Sequence, residues 1–170
     1  MNARTRREHQ KTLIPRPNRL ILLGMKSPRI LYHLKLGWLL GHRILLLTHQ
    51  GRKSGLIHQT PLEVVRWDAA TKTAIVISAW GETSDWYRNI RQAPALQIEI
   101  GRDRFVPDQR FPALDETLHE IEIYVKDHNL NAKMLSRLFK IDFANDPDAR
   151  HKLATSTRMV AFQPHEKSLN

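Results

Sequence analysis

The chain has no cysteine among its 170 residues. That excludes disulfides, thiolate metal sites and a cysteine nucleophile, and it suits a reducing cytoplasm. Long apolar runs are missing as well. Stretches such as Leu20–Leu23 and Ile44–Leu47 fall far short of the roughly 20 residues that a membrane span needs. Met1–Arg19 lacks the apolar centre of a signal peptide. Acidic residues are few: 17 Asp and Glu stand against 27 Lys and Arg. What remains, 41% hydrophobic and 26% charged, is the composition of one globular domain with enough chain for a core.

The net charge of +10 is unevenly spread. Residues 1–30 hold Arg4, Arg6, Arg7, Lys11, Arg16, Arg19, Lys26 and Arg29 against Glu8, a net of +7, so residues 31–170 carry +3. Residues 1–19, with Pro15 and Pro17, read as a flexible basic arm. Residues 20–164 form the domain and 165–170 a tail. An arm of this kind suits a polyanion: a nucleic acid, an anionic membrane surface or an acidic ligand tail.

Ser27-Pro28 starts a helix with Ser as cap and Pro at the first position, and Ile30, Leu31, Leu34 and Trp38 follow at helical spacing. Apolar stretches then predict a hairpin over 43–50 and 56–67, a strand over 73–80 and a short helix over 86–92 capped by Asp85. Strands follow near 96–100 and 104–111. Helices are expected at 113–127, 131–140 and 147–155, before a last strand at 159–162. The β-rich middle suggests a small barrel, with helices over its open ends.

The hairpin turn is Gly51-Arg52-Lys53-Ser54-Gly55. Its glycines permit a tight turn, and Arg52, Lys53, the Ser54 hydroxyl and free backbone N–H groups converge on one point. Such a point suits phosphate, although a solvated basic turn has the same composition. It is not a P-loop: Arg52 precedes the Lys, and a strand pattern follows rather than a helix. The nine histidines form no metal constellation; His49 and His58 flank the turn without a third ligand, so no metal is expected.

The segments Leu45-Leu46-Leu47-Thr48, Gly51-Arg52-Lys53-Ser54-Gly55, Thr60-Pro61-Leu62, Ser78-Ala79-Trp80-Gly81 and Ser84-Asp85-Trp86-Tyr87-Arg88-Asn89-Ile90, with Pro94, recur in a fixed order over residues 28–111. In this the chain resembles the deazaflavin-dependent nitroreductase family. The resemblance implies an α+β fold, a split β-barrel of the flavin-reductase type with about six mostly antiparallel strands and flanking helices. It implies the deazaflavin coenzyme F-420, with FMN as the alternative. It places the coenzyme phosphate at Arg52, Lys53, Ser54 and Gly55. It sets the ring against Thr60, Pro61 and Leu62 and against Ser78, Ala79, Trp80 and Gly81, with Asp85, Trp86 and Tyr87 as a wall. His58 and Glu63 stand where several relatives carry Arg and Tyr, and nothing from about Glu116 onward matches.

Hydride chemistry belongs to such a coenzyme, and the chain must fix the ring and exclude water. Tyr87, Tyr124, His58 and Glu63 are candidate proton donors to the acceptor, each also readable as a core or surface residue. Three functions compete: reduction of a small hydrophobic quinone, nitroaromatic or enone; a non-catalytic deazaflavin or lipid carrier; and a nucleic-acid module. The last lacks basic strands interleaved with aromatics and is not expected. A cytoplasmic monomer or homodimer is anticipated, with the arm following the coenzyme's polyglutamate tail or touching an anionic membrane at its inner face. The apolar set on 113–155, including Tyr124, Leu135 and Phe139, is expected to form a lid over the ring.

Overall fold

The computed structural model describes residues 28–29, 31–34 and 36–165, apart from the side chains of residues 138 and 139. The arm, the Ser27 cap, the Phe139 side chain and all of the tail but His165 lie outside that set.

Seven strands form one antiparallel sheet: β1 (Ile44–Gln50), β2 (Ile57–Asp68), β3 (Thr73–Ser78), β4 (Gln97–Ile100), β5 (Asp103–Phe105), β6 (Pro107–Arg110) and β7 (Arg158–Pro164), in the order β5-β4-β1-β2-β3-β7-β6. The two outermost strands are neighbours in sequence, joined by Val106 alone. One bent segment therefore pairs with β4 through its first half and with β7 through its second. That closes the sheet into a split barrel with flanking helices. The strand expected at 104–111 is thus two strands, and the described residues form seven rather than about six.

Alternation explains the layers. Leu45 and Leu47 of β1, Leu62 of β2, Ala74 and Val76 of β3, Ile98 and Ile100 of β4 and Val160 and Phe162 of β7 fill the barrel. On β3 and β7 the intervening residues Ile75, Met159 and Ala161 are buried too, and Ile77 partly so, because they meet a helical layer on the outside. A strand covered on both faces reads as a continuous apolar run, as 73–80 does.

The short helix α1 (Asp85–Gln92) sends Trp86, Tyr87 and Ile90 into the barrel core. Its N-cap position is Ser84, not Asp85. Helices α2 (Leu114–Asp127), α3 (Asn129–Phe139) and α4 (Pro147–Ser156) pack on the outer face of β3 and β7. They do not cover an open end: α1 does. α4 starts on Asp146, whose carboxylate accepts from the Asp148 N–H, with Pro147 in the first turn.

Candidate functional site: a basic turn clamped to a helix

The turn between β1 and β2 closes through two backbone bonds, Gly51 N–H to the Leu56 carbonyl and Gly55 N–H to the Gly51 carbonyl, both 2.8 Å. Gly55 has φ of 69°. A Cβ on Gly51 would lie 2.6 Å from Ser54 Oγ and 2.8 Å from His58 Nε2, so a side chain there would push these two exposed side chains aside.

Arg52 is not a free surface cation. Its backbone N–H and its Nη1 both donate to Asn89 Oδ1, at 3.1 and 2.9 Å, and its Nη2 pairs with Asp85 Oδ1 at 2.9 Å. Arg52 therefore does not converge freely with Lys53 on one point, as the sequence suggested; it ties the turn to α1. Lys53, Ser54 and Gly55 remain exposed. The backbone N–H groups of Lys53 and Ser54 have no hydrogen-bond partner among the described residues. Unpaired N–H donors beside an exposed ammonium are the chemistry that an anion calls for.

The other ring-contact candidates split by strand face. Thr60 and Leu62 point toward the barrel interior, Thr60 hydrogen-bonding His49 at 3.0 Å; Pro61 faces outward, paired with Leu46. Ser78 is buried, donating to the Gly81 carbonyl at 2.8 Å and paired with the Ser84 hydroxyl at 2.7 Å. Ala79 packs with the helical layer. Trp80 is half-buried, and its buried Nε1–H has no partner among the described residues. Gly81 has φ of 53° and backs onto the Ser156 carbonyl. Trp86 and Tyr87 fill the barrel, Tyr87 meeting Phe111 edge-on at 5.7 Å; of the expected wall only Asp85 reaches the surface.

The four proton-donor candidates do not converge. Glu63 and Tyr124 meet in a cleft of about 580 Å³ between β2 and α2, with Arg43, Trp67 and His128 also on its walls. Protein crowds the Glu63 carboxyl although the cleft mouth leaves the residue exposed. Burial, the largest influence, raises its pKa, while Arg43 and the Tyr124 hydroxyl oppose that. Tyr124 is pushed up to about 12, first by burial and then by the Glu63 charge. His58 is exposed near the turn, its ring 5.8 Å from that of His49. Tyr87 lies in the core, where burial raises its pKa. Among the described residues no group of His, Asp and Glu could hold a metal.

Sequence reasoning missed Asn89 and the structural part played by His49. Asn89 could have been found from its place four residues after Asp85, hence on the same helix face. His49 shares the strand parity of Leu45 and Leu47, which marks it as inward-facing.

The fold is that of a split-barrel protein with a basic turn at one hairpin. A family model described as F420H(2)-dependent quinone reductase matches residues 34–131, more than half of the chain. The chain belongs to that family and is an F-420-dependent oxidoreductase. The match runs to the start of α3, past residue 111 where the motif resemblance ends.

Among solved structures the chain is similar to an F420-H2 dependent reductase, FDR-A, at 19% identity over 72% of this chain and 96% of that one, TM-score 0.46. It is also similar to a protein described as a domain-swapped dimer, at 18% identity over 86% and 100%, TM-score 0.48. A third is an FMN-binding protein from Nostoc punctiforme related to pyridoxamine 5'-phosphate oxidase, at 15% identity over 89% and 82%, TM-score 0.44. No curated protein matches the sequence. The donors of the turn and of Trp80, two residues past β3, fit the coenzyme: unpaired N–H groups and Lys53 for its phosphate, and the indole N–H, without a partner among the described residues, for a carbonyl-bearing ring.

Proposed function

We propose that this protein reduces a small hydrophobic quinone-type acceptor at the outer face of β2. Lys53, Ser54 and the turn's N–H groups bind the coenzyme phosphate. Pro61 and Trp80 hold the ring between the turn and the cleft on this reading. Bound there, reduced F-420 supplies a hydride. Glu63 and Tyr124 supply and relay the proton that the reduced acceptor oxygen takes up. The observation that carries this reading is the cleft in which a carboxyl with a raised pKa meets a tyrosine hydroxyl. The basic arm follows the coenzyme's acidic tail or holds the protein against an anionic membrane. No helix among the described residues is long and apolar enough to cross one.

The test is oxidation of reduced F-420 by a naphthoquinone, a nitroaromatic and an enone, followed across pH. Because the proton donor is the protonated carboxyl, the quinone rate falls as pH rises through the Glu63 pKa. Glu63→Gln lowers that rate, flattens the pH profile and leaves coenzyme binding unchanged. Absence of quinone turnover, or a Glu63→Gln rate equal to wild type at every pH, overturns the proposal.

A further inference from the structure

Inside the barrel mouth lies a chain of hydrogen bonds that the reductase chemistry does not use. Arg52 presents two donors, its backbone N–H and its guanidinium, to one atom of the Asn89 amide. Only the amide oxygen can accept both, which fixes the orientation of Asn89. Its Nδ2 then points at His49 Nδ1, 3.1 Å away. An amide nitrogen is a donor, so Nδ1 must be the acceptor and the proton must sit on Nε2. That proton faces Thr60 Oγ1 at 3.0 Å. Every link has one consistent direction, and the direction requires a neutral His49. The imidazole is 3% exposed and Asn89 5%, so water is a poor substitute for either partner.

We infer that His49 is a positioning residue for the anion-binding turn: as its Nε2–H tautomer it orients Asn89, whose amide oxygen clamps Arg52 and the turn to α1, and a proton on Nδ1 opens that clamp. A protonated imidazole has donors at both nitrogens. Its Nδ1–H would meet the Asn89 NH2 head-on. Rotating the amide to relieve that conflict turns its NH2 onto the two Arg52 donors. Either arrangement sets donor against donor inside the barrel, and the turn comes loose.

His58 on β2, Arg52 in the turn and Asp85 on α1 are the titratable or charged groups that face this network, and Arg52 and Asp85 pair with each other. Burial, the largest influence, lowers the His49 pKa below 6.5; a backbone hydrogen bond at Gln50 opposes this and His58 adds to it. The folded state therefore prefers the neutral ring, and the clamp's contribution is complete above the ordinary histidine value. It declines as pH falls through the lower, folded value.

The consequence for coenzyme affinity rests on the reading of the turn as the phosphate site, but the clamp itself is tested on the coenzyme-free protein. In the isotope-labelled full chain, the His49 ring nitrogens and the Arg52 backbone N–H are followed by NMR from about pH 8 to about pH 5. The expected result is a bare Nδ1 at the alkaline end. At lower pH the Arg52 amide shifts and loses exchange protection with the same midpoint as His49. In His49→Gln, whose amide oxygen can replace the Nδ1 acceptor and does not titrate, the Arg52 amide stays protected across the range. A protonated Nδ1 near neutral pH, or an Arg52 amide indifferent to His49 titration, overturns the inference; if His49→Gln does not fold, the wild-type titration decides alone. In a second arm, wild-type affinity for F-420 drops by about tenfold at the acid end, the scale of one lost charge-assisted hydrogen bond, and that of His49→Gln does not. Failure to bind F-420 at any pH would overturn the phosphate-site reading and leave the clamp to be judged by the amide signals.

Discussion

Arg52 and Lys53 are adjacent cations with different work to do. Arg52 joins the hairpin turn to α1 through the buried Asn89, whereas Lys53 projects into solvent. Arg52→Ala takes the guanidinium donor from the Asn89 oxygen, which keeps only the backbone N–H, and costs about 1.5–3 kcal/mol of stability. The Asp85 end of the pair adds little, since that carboxylate is 83% exposed. Lys53→Ala leaves the melting temperature unchanged and weakens coenzyme binding by about tenfold. Thermal unfolding and a titration followed by tryptophan fluorescence separate the two. A Lys53→Ala protein that melts early, or an Arg52→Ala protein that melts with wild type, refutes the division. At this scale the sequence showed the anion-binding types but not their partners. Arg52 and Asn89 are 37 residues apart, and nothing in the local pattern tells the cation that is tied to a helix from the one that faces solvent.

At the scale of elements, strands were legible where one physical signal dominated. The alternation in 97–100, the apolar run of 73–78 and the glycine turn at 51–55 all gave strands within a residue or two of the observed bounds. The division at Val106 was not legible, because residues 103–105 and 107–110 obey one strand pattern and part only by choosing different partners. The helices were found at their positions but set against the wrong surface. Their apolar faces call for a partner without naming it, and the outward residues of β3 and β7 are what they meet. The junction of β3, α1 and α4 carries a sharper constraint. Gly81 sits at φ of 53°, and a Cβ there would come 2.5 Å from the Ser156 carbonyl. A backbone atom cannot swing aside as a side chain can. Gly81→Ala therefore destabilises by about 2 kcal/mol or more, through left-handed strain and the close approach together. A melting temperature within a degree or two of wild type would show that the α4 end yields.

For the molecule as a whole, charge is the feature that composition described and the fold does not explain. Residues 31–170 carry only +3 of the +10, so most of the net charge stands in the first thirty residues. Removing residues 1–19 should leave the melting temperature nearly unchanged. It should weaken long-tailed F-420 more than a tail-less analogue, or abolish low-salt binding to anionic vesicles, where each Lys or Arg near the surface is worth about 1 kcal/mol. A truncated protein that equals the full chain in both assays shows the arm to be a solvating terminus.

The seam at Val106 also sets a timetable. Strand β7 lies between β3 and β6, so the barrel closes only when it arrives, and residues 111–157 must be made first. A chain growing on the ribosome can pair β1 with β2 and β2 with β3, and can set β4 and β5 beside β1, while β3 and β6 still offer open edges. Until translation reaches Arg158–Pro164, what emerges is a curled sheet with its apolar lining accessible. That is the interval in which a chaperone or a second nascent chain would find it.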